Sequence, residues 1–183
     1  NAFANTSASL IQQKLNANIV DTLMPPLSPM ELTIGFVMGG ATRGIMVGIG
    51  VGISLALVMP TPLLSPSGII FYSIGAAIMM GSLGVITGIW AEKFDHVSTI
   101  TNFIILPLSF LSSTFFPIER FPAIIQNISH YNPFFYIIDG FRSGFIGYST
   151  ASTKLGIAII VILNIVLWAI CYLMFRSGYK TKD

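Results

Sequence analysis

The chain alternates long, almost unbroken apolar runs with short polar, proline-rich connections. Four runs reach the roughly 20 mostly apolar residues a helix needs to cross a bilayer: residues 33–59, 69–91, 97–116 and 155–175. Barrel strands alternate apolar and polar positions over about ten residues, whereas these runs stay apolar throughout, so the pattern favours helices. Pro60, Pro62 and Pro66 punctuate the first connection, which carries no charge. The second is the polar turn Glu92-Lys93-Phe94-Asp95-His96, and the third is long and mixed. The pattern predicts an all-α, polytopic membrane protein with four transmembrane helices.

Local signals refine the connections. Residues 15–31 are amphipathic, with Ile19, Val20, Leu23 and Met24 on one helical face and Asn16, Asp21 and Thr22 elsewhere. Pro25 and Pro26 stop that helix, and Ser28, Pro29 and Glu31 read as N-cap, first helical residue and capping box of the next. Taken alone, the amphipathic segment is either an anchor lying on the membrane surface or a ridge that seats in a partner's groove. In the third connection, residues 117–128 predict a short helix with Phe121, Ile124 and Ile125 on its apolar side. Asn132 as N-cap and Pro133 at the first helical position start another, which ends near Gly147. Asp139 and Arg142, three apart, face each other on it.

Inside the first run, Gly40, Gly44, Gly48 and Gly52 recur at every fourth position, after Gly35 and Gly39. Small residues on one face let a neighbouring helix approach closely, and the face is read as a packing surface. Arg43 is the one formal charge well inside a run. A charge near mid-bilayer costs about 2.5–3.5 kcal/mol on insertion scales, so it pairs, faces a cavity or snorkels. Functional and structural roles stay equally open for it.

Composition agrees with a lipid environment: 54% hydrophobic, 9% charged, mean hydropathy +0.81, against about a quarter charged in soluble domains. The net charge of +2 with no basic cluster gives no footprint for nucleic acid. Cys171 is the only cysteine, so no intramolecular disulfide forms. His96 beside Glu92 and Asp95, and His130 with no companion histidine, do not make a metal set, and no cofactor is implied. There is no G-x-x-x-x-G-K-[ST] phosphate loop and no nucleophile elbow, so the chain is not read as an enzyme. Lysine and arginine favour cytoplasmic loops. One side receives Lys14, Lys93, Arg176, Lys180 and Lys182, the other Arg120, Arg142 and Lys154. Both ends are therefore expected in the cytoplasm, with residues 61–67 and 117–153 outside.

The run LPLSFLSSTFFPIERFPAIIQNISHYNPFFYIIDGFRSGFIG, residues 106–147, resembles the signature region of ABC type-2 transporter permeases, as does PLSPME before the first span. It departs from that pattern at Ser113, where family members often carry glycine. The resemblance extends, more weakly, to the whole chain. It implies a C-terminal portion of a longer permease of an ATP-driven exporter in the bacterial inner membrane. Its expected parts are a cytoplasmic coupling segment (1–32), three transmembrane helices (33–116), extracellular re-entrant helices (117–153), a last span (154–175) and a cytoplasmic tail (176–183). Ile19, Val20, Leu23 and Met24 would then dock on a separate ABC ATPase subunit. Pro117, Asn132, Pro133, Tyr136, Asp139 and Arg142 would form an extracellular gate. A second permease copy, identical or paralogous, completes the pathway for a glycan, lipid-linked or drug-like hydrophobic substrate, with membrane lipid around it. The rival reading is a channel or secondary transporter without an ATPase, which would be expected to place ionisable residues along a midplane path. Only Arg43 fits that. An intramembrane enzyme is disfavoured because no span carries paired catalytic groups.

Overall fold

A computed structural model describes residues 1–16, 27–59, 62–112, 114 and 122–179, and all regular structure among these is helical. The elements are α1 (Ala2–Leu15), α2 (Pro29–Val58), α3 (Pro66–Trp90), α4 (Phe94–Ile100), a π-helical turn (Thr101–Ile105), α5 (Leu106–Phe110), α6 (Ala123–His130), α7 (Pro133–Ile146) and α8 (Thr153–Ser177). Three of them, α2, α3 and α8, are long and apolar enough to cross a membrane, with 30, 25 and 25 residues. Their outward faces are apolar: Leu57 is 83% and Val58 80% exposed, which is tolerable only with lipid as solvent.

The helix starts follow the local chemistry. Ser28 and Glu31 form the reciprocal cap of α2: the Ser28 N–H donates to Glu31 Oε2 at 2.6 Å, and the Glu31 N–H to Ser28 Oγ at 3.2 Å. Asn132 caps α7 by accepting from the Phe134 N–H at 3.0 Å, and Gly147, at φ +75°, ends it in the left-handed conformation. The run expected over 97–116 winds continuously from Phe94 to Phe110 but widens at Thr101–Ile105. Pro107 explains the widening: it has no N–H to donate, and its ring crowds the carbonyl one turn back. The chain responds with a π turn, in which the Leu106 N–H reaches back to Thr101 O. The short external helix expected over 117–128 instead starts at Ala123, after Pro122 in an extended conformation (ψ 149°), and runs to His130.

The chain divides into two compact units. The first comprises residues 1–52, 77–98 and 163–183. Its core is Leu10, Leu32, Val37, Val85, Ile89, Cys171 and Phe175, with Phe36 stacked on Phe175 at 5.8 Å between ring centroids. The second comprises residues 53–76 and 99–162. In it α7 packs on the first turns of α3: Gly140 lies against the Tyr72 ring and Gly144 against Ile69. Leu64 and Ser65 N–H both donate to Gly144 O, at 3.0 and 2.9 Å.

Candidate functional site

Residues 17–26 contain the four predicted docking residues, Ile19, Val20, Leu23 and Met24, and lie outside the described residues. Both flanks of that segment are fixed within the first unit. On the far side stands the Ser28–Glu31 cap of α2. On the near side Lys14, in the last turn of α1, donates from Nζ to Ile89 O and, at 3.3 Å, to Ala91 O. Those carbonyls close α3, where the last turn of a helix lacks internal donors and favours a cation.

The helix α1 was not foreseen from the sequence. It buries Ala2, Phe3, Thr6, Ser7, Leu10 and Ile11, a face at helical spacing. Half of that face is small or hydroxylic, and the hydroxyls are satisfied inside the helix: Thr6 Oγ1 donates to Ala2 O and Ser7 Oγ to Phe3 O, at 2.9 and 2.8 Å. Glycines receive it. Gly40 and Gly44 on α2 face Thr6 and Ala2. A methyl group at Gly84 on α3 would sit 2.8 Å from Phe3 O, and one at Gly88 would sit 3.1 Å from Ser7 Cα. Gly81 meets Val37 O of α2 at 2.9 Å by the same measure. Gly48 and Gly52 have nothing within 4 Å. So Gly40 and Gly44 of the predicted stripe receive α1, while its other half is open in this chain. The α3 set Gly81, Gly84 and Gly88 escaped the sequence reading, although its spacing of three and four residues was a signal. Arg43, exposed on α2, donates from Nη1 to Asn5 Oδ1 of α1 at 2.6 Å.

The residues predicted for an external gate lie in the second unit, except Pro117, which is outside the described residues. Asn132 also donates from Nδ2 to Leu108 O at 2.6 Å and to Ser112 Oγ at 2.9 Å, tying the start of α7 to the end of α5. Pro133 opens α7, and Tyr136 OH donates to His130 O at 2.9 Å. Asp139 is 1% exposed, and its carboxylate is saturated. Oδ1 accepts from the Thr150 N–H at 3.2 Å and from Arg142 Nη2 at 3.1 Å; Oδ2 accepts from Ser149 Oγ at 2.6 Å and the Ala151 N–H at 3.0 Å. Arg142 Nη2 also donates to Thr150 Oγ1 at 3.3 Å. The turn leading into α8 is thus folded around one carboxylate. Its three partners at 149–151 lie ten to twelve residues away, which no helical periodicity announces.

Burial pushes the Asp139 carboxyl up, but the bonds from Ser149, Ala151 and Thr150, with the Arg142 charge, outweigh that and hold it below the ordinary carboxylate range. A depressed folded value means the contribution is complete above the unfolded value of about 3.9 and is lost as pH falls through the folded one. Hydrogen exchange at the 147–151 turn is therefore expected to be flat in protection from neutral pH to about pH 5 and to drop only in stronger acid. Asp139→Asn places an amide donor among donors, and it should cost about 1–3 kcal/mol of local stability at neutral pH. Unchanged protection in the Asn variant would remove the carboxylate from this role.

Among the described residues no cluster of three or more His, Cys, Asp or Glu residues could hold a metal ion. The arrangement is one of packed helices with anchored ends.

Residues 1–146 match the family described as ABC-2 type transporter. The inner membrane transport permease YadH of Escherichia coli (strain K12) is 29% identical over 178 residues, covering 97% of this chain and 70% of the relative. Nodulation protein J of Rhizobium leguminosarum bv. viciae is 25% identical over 163 residues, 84% of this chain and 60% of the relative. The inner membrane transport permease YhhJ of Escherichia coli (strain K12) is 25% identical over 132 residues, 69% of this chain and 34% of the relative. No solved structure matches significantly.

Proposed function

This chain belongs to the ABC-2 type transporter family and is a membrane protein, and from that premise we propose that it is the permease of an ATP-driven exporter, powered by a separate ABC ATPase subunit. The observation that supports the reading is that the described chain on either side of residues 17–26 is held, by Lys14 before it and by the Ser28–Glu31 cap after it. An amphipathic segment clamped by Lys14 on one side and by the Ser28–Glu31 cap on the other is suited to passing a push into α2 and α3. A freely hinged loop would dissipate it. Ile19, Val20, Leu23 and Met24 are the proposed docking ridge.

Four spans are proposed, the third being the stretch Phe94–Phe110 with its continuation toward residue 116. The two short helices α6 and α7 form the external re-entrant pair, with Asn132, Tyr136, Asp139 and Arg142 holding an outer gate closed or open as a unit. Thirty residues rise about 45 Å in α2, some 15 Å more than the hydrocarbon core. That excess is assigned to the cytoplasmic, Pro29 end. A second permease copy, identical or paralogous, completes the pathway. The substrate class is a glycan, a lipid-linked compound or a hydrophobic drug-like molecule.

A pull-down of the full-length protein in mild detergent tests the reading: a stoichiometric nucleotide-binding partner is expected, and its reproducible absence favours a channel or secondary transporter. Orientation is checked separately in a Cys171→Ser background. Tyr148→Cys should react with an impermeant maleimide in sealed cells and Ser177→Cys should not. The reverse pattern overturns the topology.

A further inference from the structure

The proposed third span is held at its C-terminal end rather than along its length. None of the residues of α4, the π turn and α5 is buried, and Phe103, in the π turn, is 77% exposed. The first buried side chain along this stretch is Ser112, just past the end of α5. A π turn closes its bonds over five residues, a geometry found at bends and at functional sites. With no side chain of the turn buried in the protein, its backbone is the compliant part of the span.

The C-terminal end is the opposite. The last carbonyls of a helix lack internal donors, and here side chains supply them. Ser109 Oγ donates to Ile105 O at 2.8 Å, and Thr114 Oγ1 to Ser109 O at 2.7 Å. Leu108 O accepts from both Ser112 Oγ and Asn132 Nδ2. Asn132 is buried and comes from another helix start, 24 residues further along the chain. The two ends of its amide have separate tasks. Oδ1 accepts the Phe134 N–H and starts α7, while Nδ2 closes α5 through Leu108 O and Ser112 Oγ. One planar group therefore caps both helices, and neither can turn without straining a bond of the other. In the same unit α7 carries Asp139, which gathers residues 149–151 ahead of α8.

We infer that the third span yields at Thr101–Ile105, while its end at α5, fastened by Asn132, moves with α7 as one body. Asn132 is the positioning residue that carries displacement of the span into α7 and, through Asp139, into the turn before α8. This rests on the reading of α6 and α7 as an outer gate, and it adds which part bends and which part does not.

Hydrogen exchange on the full-length protein in mild detergent reads both halves of the claim. Amides 101–106 should exchange faster than amides 109–112, and equal exchange in the wild type removes the hinge. Asn132→Ser keeps a cap on α7, since serine caps as well as asparagine, but its side chain is too short to close α5. Protection at 109–112 should then fall about tenfold, while protection at 134–138 holds. A general loss of folding would lower both segments together and overturn the assignment, as would unchanged protection at 109–112. Should Asn132→Ser not accumulate, Ser112→Ala, which removes one acceptor of the amide and leaves the cap of α7, is read by the same criteria.

Joint movement is measured between nitroxides at Phe110→Cys and Ile146→Cys, both exposed positions, in a Cys171→Ser background. With the ATPase subunit bound, the spin–spin distance should be the same without nucleotide and with ATP plus vanadate, and it should spread in Asn132→Ser. A wild-type distance that shifts between the two states overturns the single body. The exchange comparison needs no ATPase, so a protein without such a partner fails the exporter reading while the clamp is decided by exchange alone.

Discussion

Gly84→Leu and Gly88→Leu are each expected to strip α1 from α3 and leave the protein unable to accumulate in the membrane. At Gly84 the first added carbon would lie 2.8 Å from the backbone oxygen of Phe3, and at Gly88 it would lie 2.9 Å from Leu10 Cβ and 3.1 Å from Ser7 Cα. Neither backbone nor a Cβ can rotate away as the far end of a side chain can, so the helices must separate. Overpacking alone costs about 1–3 kcal/mol. Separation adds the loss of contacts at Phe3, Leu10 and Ile11, each nearly fully buried at 4%, 1% and 0% exposure. Against a typical stability of about 5–15 kcal/mol, that is a large fraction. Gly48→Leu and Gly52→Leu provide the contrast, since nothing lies within 4 Å of either site in this chain. Thermal unfolding in detergent should separate the two pairs, and equal Tm values for Gly88→Leu and Gly48→Leu would show that close approach of α1 is not required.

The second large effect belongs to energy coupling. Val20→Asp with Leu23→Asp should remove the ATPase subunit from the purified complex and stop export while leaving insertion unchanged. Unpaired charges at buried anchors cost several kcal/mol each, enough to dissociate a modest cytoplasmic contact. Insertion is spared because the long helix begins at Pro29, beyond the substituted positions, and carries its own apolar length. Lys14 offers a softer version of the same experiment. Lys14→Met keeps the docking ridge but frees one anchor of the segment, so the ATPase should stay bound while transport per hydrolysed nucleotide falls. Loss of binding in Lys14→Met would place the lysine in the docking surface itself.

Much of the fold was legible because lipid imposes a simple rule on sequence: a spanning helix must be apolar along its whole length. Runs at 33–59, 69–91 and 155–175 therefore reappear as α2, α3 and α8 with ends shifted by a few residues. Caps were equally readable, since Ser28, Glu31 and Asn132 act through bonds two or three residues long. What hydropathy could not register was α1. Its buried face uses Ala2, Thr6 and Ser7, residues whose value there lies in being small. Smallness also conceals Gly81, Gly84 and Gly88, whose role exists only against a partner helix. The π turn was written in Pro107, a residue that obliges a helix to deform, but which deformation follows depends on neighbours. The shifted start of α6 reflects Pro122, whose extended conformation interrupts the apolar pattern around it.

Site residues divide along the same line. The Asp139–Arg142 pair was visible at a spacing of three, and the structure gives it a length of 3.1 Å. Its larger context, a carboxylate gathering Ser149, Thr150 and Ala151, comes from a turn whose path no local rule specifies. Arg43 was legible as a charge needing an answer, and the answer, Asn5 at 2.6 Å, sits on the helix that hydropathy missed.

The central claim is that residues 17–26 of this ABC-2 family member engage a nucleotide-binding subunit. Leu23→Cys in a Cys171→Ser background, modified with a photoactivatable maleimide in inside-out membrane vesicles, tests it at the contact itself. A covalent adduct to a nucleotide-binding protein, lost when Val20→Asp is added, is the predicted result. Labelling that occurs only from the opposite face, or adducts formed with lipid alone while transport proceeds, would contradict the account.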